Sequence, residues 1–149
     1  MAHDYKNFPE LTNREIDEFG FTSPHRQITE SFFATVVKVH DGDTITLRAE
    51  FRDFDFPLRF LGIDSPEMNA GGEVTQQWLE GRLLNEVVEI IIDPDNRVGK
   101  YGRLLGQIMH RGLDVGEEEI NLGLASTFER RREGQLPNSN KMFDVKQWF

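Results

Sequence analysis

The sequence contains no cysteine, which removes a disulfide framework, a thiol nucleophile and any thiolate metal site. His3, His25, His40 and His110 are scattered with no i, i+4 pair, so the ligand spacing of a zinc site is missing too. Apolar runs are short, as at Ile90-Ile91-Ile92, and none approaches a membrane span. No secretory apolar stretch follows Met1-Ala2-His3-Asp4-Tyr5-Lys6, which leaves a cytoplasmic or a released protein as the expectation. Glycine-rich phosphate loops of the Walker or Rossmann type are absent. Basic residues are in deficit, 17 Lys and Arg against 26 Asp and Glu, a net charge of −9 over 149 residues. That balance argues against a basic nucleic-acid-binding protein.

What remains is a globular composition, 38% hydrophobic and 11% aromatic with twelve Phe, enough for one domain with a proper core. The chain divides near residue 33. Residues 1–33 carry Lys6, Arg14 and Arg26 against six acids, with Pro9, Gly20 and Pro24 as punctuation, and read as an extension or arm. Within it, Thr12-Asn13-Arg14-Glu15 has the spacing of a capping box and predicts a short helix, with Leu11, Ile16 and Phe19 as its apolar stripe. Such an arm docks on the domain, tethers it, or mediates self-association, so a monomer and an arm-mediated homo-oligomer both stay open.

Residues 34–149 form the expected domain. Thr35–His40 and Asp43–Arg48 predict two strands joined by an Asp41-Gly42 hairpin. Phe56–Ile63, Val87–Ile92 and Leu104–His110 predict three more. Gly72–Glu86 reads as a helix with Val74, Trp78, Leu79 and Leu83 on one face, and Gly116–Leu122 as a second, ended by Gly123. A third short helix is expected after Asn138, with Met142, Phe143, Val145, Trp148 and Phe149 as its contacts. Five strands with a helix after the third give an α+β, mainly β, fold: a five-stranded OB-like barrel with about three packed helices.

Several charged residues resist a purely structural reading. Asp43 shares strand parity with Ile45 and Leu47, on the expected inward face, where a carboxylate needs a partner. It reads either as a turn acid or as a ligand, whereas Asp41 reads as a turn residue. Arg59 shares parity with Leu61 and Ile63, and its strand runs into Asp64-Ser65-Pro66-Glu67. Pro66 biases Ser65 toward an extended backbone and fixes the direction of its carbonyl. Capping is the plain alternative for Asp64 and Glu67, and a solvated turn is the alternative for Arg103 in Gly99-Lys100-Tyr101-Gly102-Arg103. Arg130-Arg131-Arg132, bracketed by Glu129 and Glu133, reads as a solvated helix end or loop. Combined, three carboxylates suited to a hard cation and two arginines suited to phosphate make a phosphoryl-transfer set with water as nucleophile.

Three segments carry a resemblance in their order and spacing: Val37-Lys38-Val39-His40-Asp41-Gly42-Asp43-Thr44, Leu58-Arg59-Phe60-Leu61-Gly62-Ile63-Asp64-Ser65-Pro66-Glu67, and Lys100-Tyr101-Gly102-Arg103-Leu104-Leu105-Gly106. Val115 to Ala125, with its Gly-Leu-Ala ending, is a weaker fourth. Over about residues 33–149 the chain resembles the staphylococcal nuclease (thermonuclease) family. The resemblance implies Ca²⁺-dependent hydrolysis of DNA and RNA, single strands preferred, with 3′-phosphate products and no membrane partner. Mg²⁺ is the second choice of cation. By the same resemblance Asp43 and Asp64 bind the metal by carboxylate and Ser65 by its carbonyl. Arg59 and Arg103 clamp the phosphate, Glu67 orients or deprotonates water, and Lys100 and Tyr101 contact substrate. Where family members often place Tyr against the nucleotide, this sequence has Phe128-Glu129-Arg130-Arg131.

Two other classes stay in view: a non-catalytic OB-fold module gripping nucleic acid or protein, and a structural element of an assembly. On the enzymatic reading the −9 charge takes on a different sense. Asp43, Asp64 and Glu67 turn local negative charge into phosphate attraction through a cation, and the rest weakens any non-specific grip on polyanions.

Overall fold

Alternation of apolar side chains sets the first two strands. In β1 (Phe32–Asp41) Ala34, Val36 and Val39 are buried, and in β2 (Thr44–Arg48) Ile45 and Leu47 are. The structure, a computed structural model, describes residues 9–19, 26–99 and 103–127. Its other elements are α1 (Asn13–Phe19), β3 (Phe56–Phe60), β4 (Ile63–Asp64), a 3-10 turn (Met68–Ala70) and α2 (Gly72–Leu83). These are followed by β5 (Val87–Ile91), β6 (Leu104–His110), β7 (Leu113–Asp114), α3 (Val115–Asn121) and β8 (Ser126–Thr127).

β3, β2, β1, β5 and β6 lie side by side as antiparallel neighbours, and a parallel pairing of β3 with β6 closes them into a mixed five-stranded barrel. With the three helices among the described residues this is the OB-like α+β fold that the strand order predicts. In the closing seam Leu58 stands opposite Leu104 and Arg59 opposite Leu105. The core is filled by Val36, Ile45, Leu47, Phe56, Leu58, Phe60, Ile90, Leu104 and Ile108. Among the described residues no helix is long and apolar enough to cross a membrane.

α2 plugs one side of the barrel through Thr75, Leu79 and Leu83. Complete burial of Leu79 and Leu83 contributes on the order of 2 kcal/mol each. Val74, expected on that face, is instead exposed, because the inward stripe follows positions 72, 75, 79 and 83. α3 ends as expected, with Gly123 in the left-handed region at φ +74° beyond its last turn.

The predicted third strand, Phe56–Ile63, is broken. Gly62 adopts φ +72°, so Leu61-Gly62 turns the chain and Ile63–Asp64 leaves as β4 to pair with β8. Consequently Arg59 does not share a face with Leu61 and Ile63. It lies half-buried on the outer face of β3, while Leu58 and Phe60 point inward. The first hairpin also shifts by one residue, with Asp41 opposite Thr44 and the turn at Gly42-Asp43.

The capping box is realised in both directions. The Glu15 amide donates to Thr12 Oγ1 at 3.2 Å, and the Thr12 amide donates to Glu15 Oε1 at 3.0 Å. Leu11 beside it is fully buried, and the Glu10 side chain lies between Arg52 and Arg97. The helix expected after Asn138 and the Arg130-Arg131-Arg132 run fall outside the described residues.

Candidate active site

Two turns at the same end of the barrel bring the site together. The first joins β1 to β2, where a bulge between Val39 and Asp41 precedes Gly42-Asp43. The Asp43 amide donates to Asp41 Oδ1 at 3.0 Å, which tightens the turn. Gly42 is required by space: a Cβ there would stand 2.3 Å from Thr75 Cγ2 and 2.7 Å from Ser65 Cβ. The second turn is Leu61-Gly62, which folds Asp64 back beside Arg59. A backbone bond from the Phe60 amide to the Asp43 carbonyl, 2.9 Å, ties the turns to each other.

Asp43 is the hub. Its side chain is buried, and Oδ2 accepts from the Ser65 amide at 3.0 Å and the Ser65 hydroxyl at 3.1 Å. Oδ1 accepts from the Thr44 hydroxyl at 3.0 Å. Arg59 reaches the same group from the other side. Its Nη2 stands 3.5 Å from Asp43 Oδ2 and 3.4 Å from Asp64 Oδ1, while Nη1 donates to the Phe60 and Ile63 carbonyls at 3.2 and 3.1 Å. One end of the guanidinium is thus fixed by main chain, and the other bridges two carboxylates at long range.

The remaining expected residues distribute as follows. Arg103 immediately precedes Leu104 in β6, on the strand paired with β3, and is half-buried like Leu105 and Arg59 while Leu104 points inward. Arg59 and Arg103 therefore share the outer face of adjacent strands, about 5 Å apart laterally and offset by two residues along them, since Arg59 stands opposite Leu105. The Arg103 side chain makes no ion pair within the described residues. Glu67 is exposed, three residues beyond Asp64, and its carbonyl accepts from the Ala70 and Gly72 amides at 2.9 Å each. Lys100 and Tyr101 lie outside the described residues.

Two acids that the sequence reading passed over or set aside complete the electrostatics. Glu119, in α3, is fully buried, and neither carboxyl oxygen has a hydrogen-bond partner among the described residues. Burial first, then the charges of Asp43 and Asp41, push its carboxyl up to about 9. Asp41 is raised to about 6 by burial and by its hydrogen bond to Asp43. Burial also acts to raise Asp43, but the Asp41 hydrogen bond, the Ser65 amide, Arg59 and Thr44 outweigh it and hold that carboxyl below its ordinary value. At neutral pH the result is an ionised Asp43 near a protonated Glu119, with Asp41 raised but still mostly ionised.

This donor set suits a hard divalent cation. The atoms gathered here are oxygens, with the carboxylates of Asp43 and Asp64 both within 3.5 Å of Arg59 Nη2. Beside burial, repulsion among Asp41, Asp43 and Glu119 helps raise Asp41 and Glu119, and a cation would relieve that negative charge. No three acidic or histidine side chains among the described residues converge as a complete metal cage, so such an ion would keep water or substrate oxygens in its shell.

The sequence pattern of the family described as Staphylococcal nuclease homologue matches residues 57–147. A protein of Colletotrichum graminicola, "Probable endonuclease LCL3", is 30% identical over 97 residues, covering 58% of this chain. The chain spans about a third of that relative's length, 34%.

Proposed function

The chain belongs to the staphylococcal nuclease homologue family, and from that premise we propose that it is a divalent-cation-dependent nuclease hydrolysing phosphodiester bonds of DNA and RNA. The observation that carries the reading is Arg59 Nη2, which bridges Asp43 and Asp64 at long range while the rest of its guanidinium is anchored to main chain.

Asp43, Asp64 and the Ser65 carbonyl would hold the cation, with Ca²⁺ as first choice and Mg²⁺ as second. When bound, such a cation polarises a phosphate oxygen and offsets charge building on it. Arg59 makes only long contacts through Nη2, at 3.5 and 3.4 Å, so that edge of the rigid guanidinium would offer its N–H groups to a phosphate while Nη1 keeps its main-chain anchors. Arg103, beside the neighbouring strand and without an ion pair among the described residues, would supply a second guanidinium. Both would neutralise the equatorial oxygens where charge develops in the transition state. Glu67, exposed and three residues beyond Asp64, would orient or deprotonate water. Ser65 serves Asp43 through its amide and hydroxyl, keeping the carboxylate ionised and aimed. The family resemblance is the basis for proposing 3′-phosphate products and a preference for single strands.

Incubating the chain with single-stranded DNA or RNA in Ca²⁺, with and without chelator, tests the reading. Cleavage abolished by chelator and restored by Ca²⁺ is expected, with 3′-phosphate ends on the products. Binding without cleavage in any divalent cation would instead assign a non-catalytic OB-fold module.

A further inference from the structure

Arg97 and Glu10 are far apart in sequence and both nearly fully buried. Glu10 Oε2 accepts from Arg97 Nη2 at 3.2 Å and from the Ile28 amide at 2.9 Å, while Oε1 pairs with Arg52. Arg97 spends its other donors on the same N-terminal segments. Nη1 reaches the Leu11 carbonyl at 2.9 Å and Asn13 Oδ1 at 3.2 Å, and Nε reaches the Ile28 carbonyl at 2.7 Å. Asn13 adds a bond from Nδ2 to the Pro94 carbonyl, 2.9 Å.

The main chain of Arg97 faces the other way, toward Arg103. Its carbonyl accepts from the Leu105 amide at 2.8 Å, Val98 bridges Leu104, and the Gly99 amide donates to the Arg103 carbonyl at 2.8 Å. Arg97 is thus a single residue whose side chain is locked into residues 10–13 and 28 and whose backbone forms the base of the hairpin that presents Arg103. Arginine and glutamate are almost never fully buried unless paired, and breaking such a pair leaves an uncompensated charge. The clamp therefore admits one geometry.

We infer that the Glu10–Arg97 pair positions Arg103, which makes the N-terminal segment a working part of the nuclease site and not a tether. This rests on the nuclease reading above. Glu10 and Arg97 are positioning residues that act through the hairpin.

Two variants test it. Glu10→Gln weakens the clamp directly. Asn13→Ala, at an exposed position, removes only the contacts to Arg97 and Pro94 and leaves the buried pair intact, so its fold is retained. On single-stranded DNA, kcat is expected to fall about tenfold in Glu10→Gln and about threefold in Asn13→Ala, with KM nearly unchanged, as misplacement of a transition-state contact requires. Amide exchange at Gly99 and Leu105 should quicken while the β1–β2 ladder keeps its protection. In an Arg103→Ala background, Asn13→Ala should cause no further loss. Unchanged kcat in Asn13→Ala, exchange that quickens equally across the barrel, or a fully additive loss with Arg103→Ala would each overturn the inference. A wild-type chain that cleaves no nucleic acid overturns the nuclease reading itself, whereas cleavage with unaffected variants overturns this inference alone.

Discussion

Ser65 donates twice to one atom of Asp43: its amide and its hydroxyl both reach Oδ2, at 3.0 and 3.1 Å. Ser65 and Asp43 come from different turns, so the carboxylate is aimed by a residue 22 positions away in sequence. Replacing Asp43 by Asn keeps the shape but turns an acceptor-only group into one that presents an amide to those donors. Asp43→Asn should weaken Ca²⁺ binding at least about tenfold by calorimetry, while near-ultraviolet circular dichroism shows the barrel intact. Unaltered affinity would remove Asp43 from the cation site.

The arginines make a separate prediction. Arg59→Ala and Arg103→Ala should each lower kcat by roughly 10²–10³, the usual cost of one transition-state charge contact, about 3–4 kcal/mol. Glu67→Ala should lower it by roughly 10²–10⁴ if that group handles the proton of the attacking water. Because Glu67 is exposed, its variant should keep its thermal midpoint, and steady-state kinetics beside a melting curve separates the two effects.

How much of this was legible in the sequence depends on range. The capping box at Thr12 and Glu15 and the strand Leu104–His110 were legible because both are set by spacing within a few residues. The face of Arg59 was not, since Phe56–Ile63 reads as one run and only the positive φ of Gly62 shows that parity ends at Phe60. Two-residue strands such as β7 and β8 carry too little pattern to be read. Glu10 gave no signal, because its partners Arg52 and Arg97 are 42 and 87 residues away. Glu119 was hidden in Glu117-Glu118-Glu119, although burial of Val115 four residues earlier marks it as the inward acid.

Glu119 makes stability depend on pH. Its carboxyl is raised from 4.5 to about 9 in the folded chain. Between those values the unfolded state has lost the proton that the folded state keeps, so stability falls as pH rises. It is greatest at and below about 4.5 and stops falling above about 9. In chelator, denaturant unfolding across this window should show a downward slope approaching about 1.4 kcal/mol per pH unit from this group. Glu119→Leu should flatten that slope and stabilise the cation-free protein at the alkaline end. An unchanged slope in the variant would refute this assignment.

Gly42 tests the packing beneath the first turn. Gly42→Ala forces a methyl to within 2.3 Å of Thr75 Cγ2, and Thr75 cannot swing away freely because its hydroxyl donates to the Leu124 carbonyl at 2.7 Å. The expected cost is about 1–3 kcal/mol in chemical denaturation. Weaker cation binding should accompany it, because Asp43 sits on the displaced turn. A variant as stable as the parent would mean that the turn and α2 are not packed this closely.

On the proposed function, Asp43, Asp64, Arg59 and Arg103 form a cation-dependent phosphodiesterase site. Its most direct measurement is single-turnover cleavage of an end-labelled single-stranded oligonucleotide by the wild-type chain across a Ca²⁺ titration, starting from chelator. The predicted result is no cleavage without the cation and a saturable rise with it, lost in Asp43→Asn. Cleavage that persists in chelator, or a titration that Asp43→Asn leaves unchanged, would contradict it.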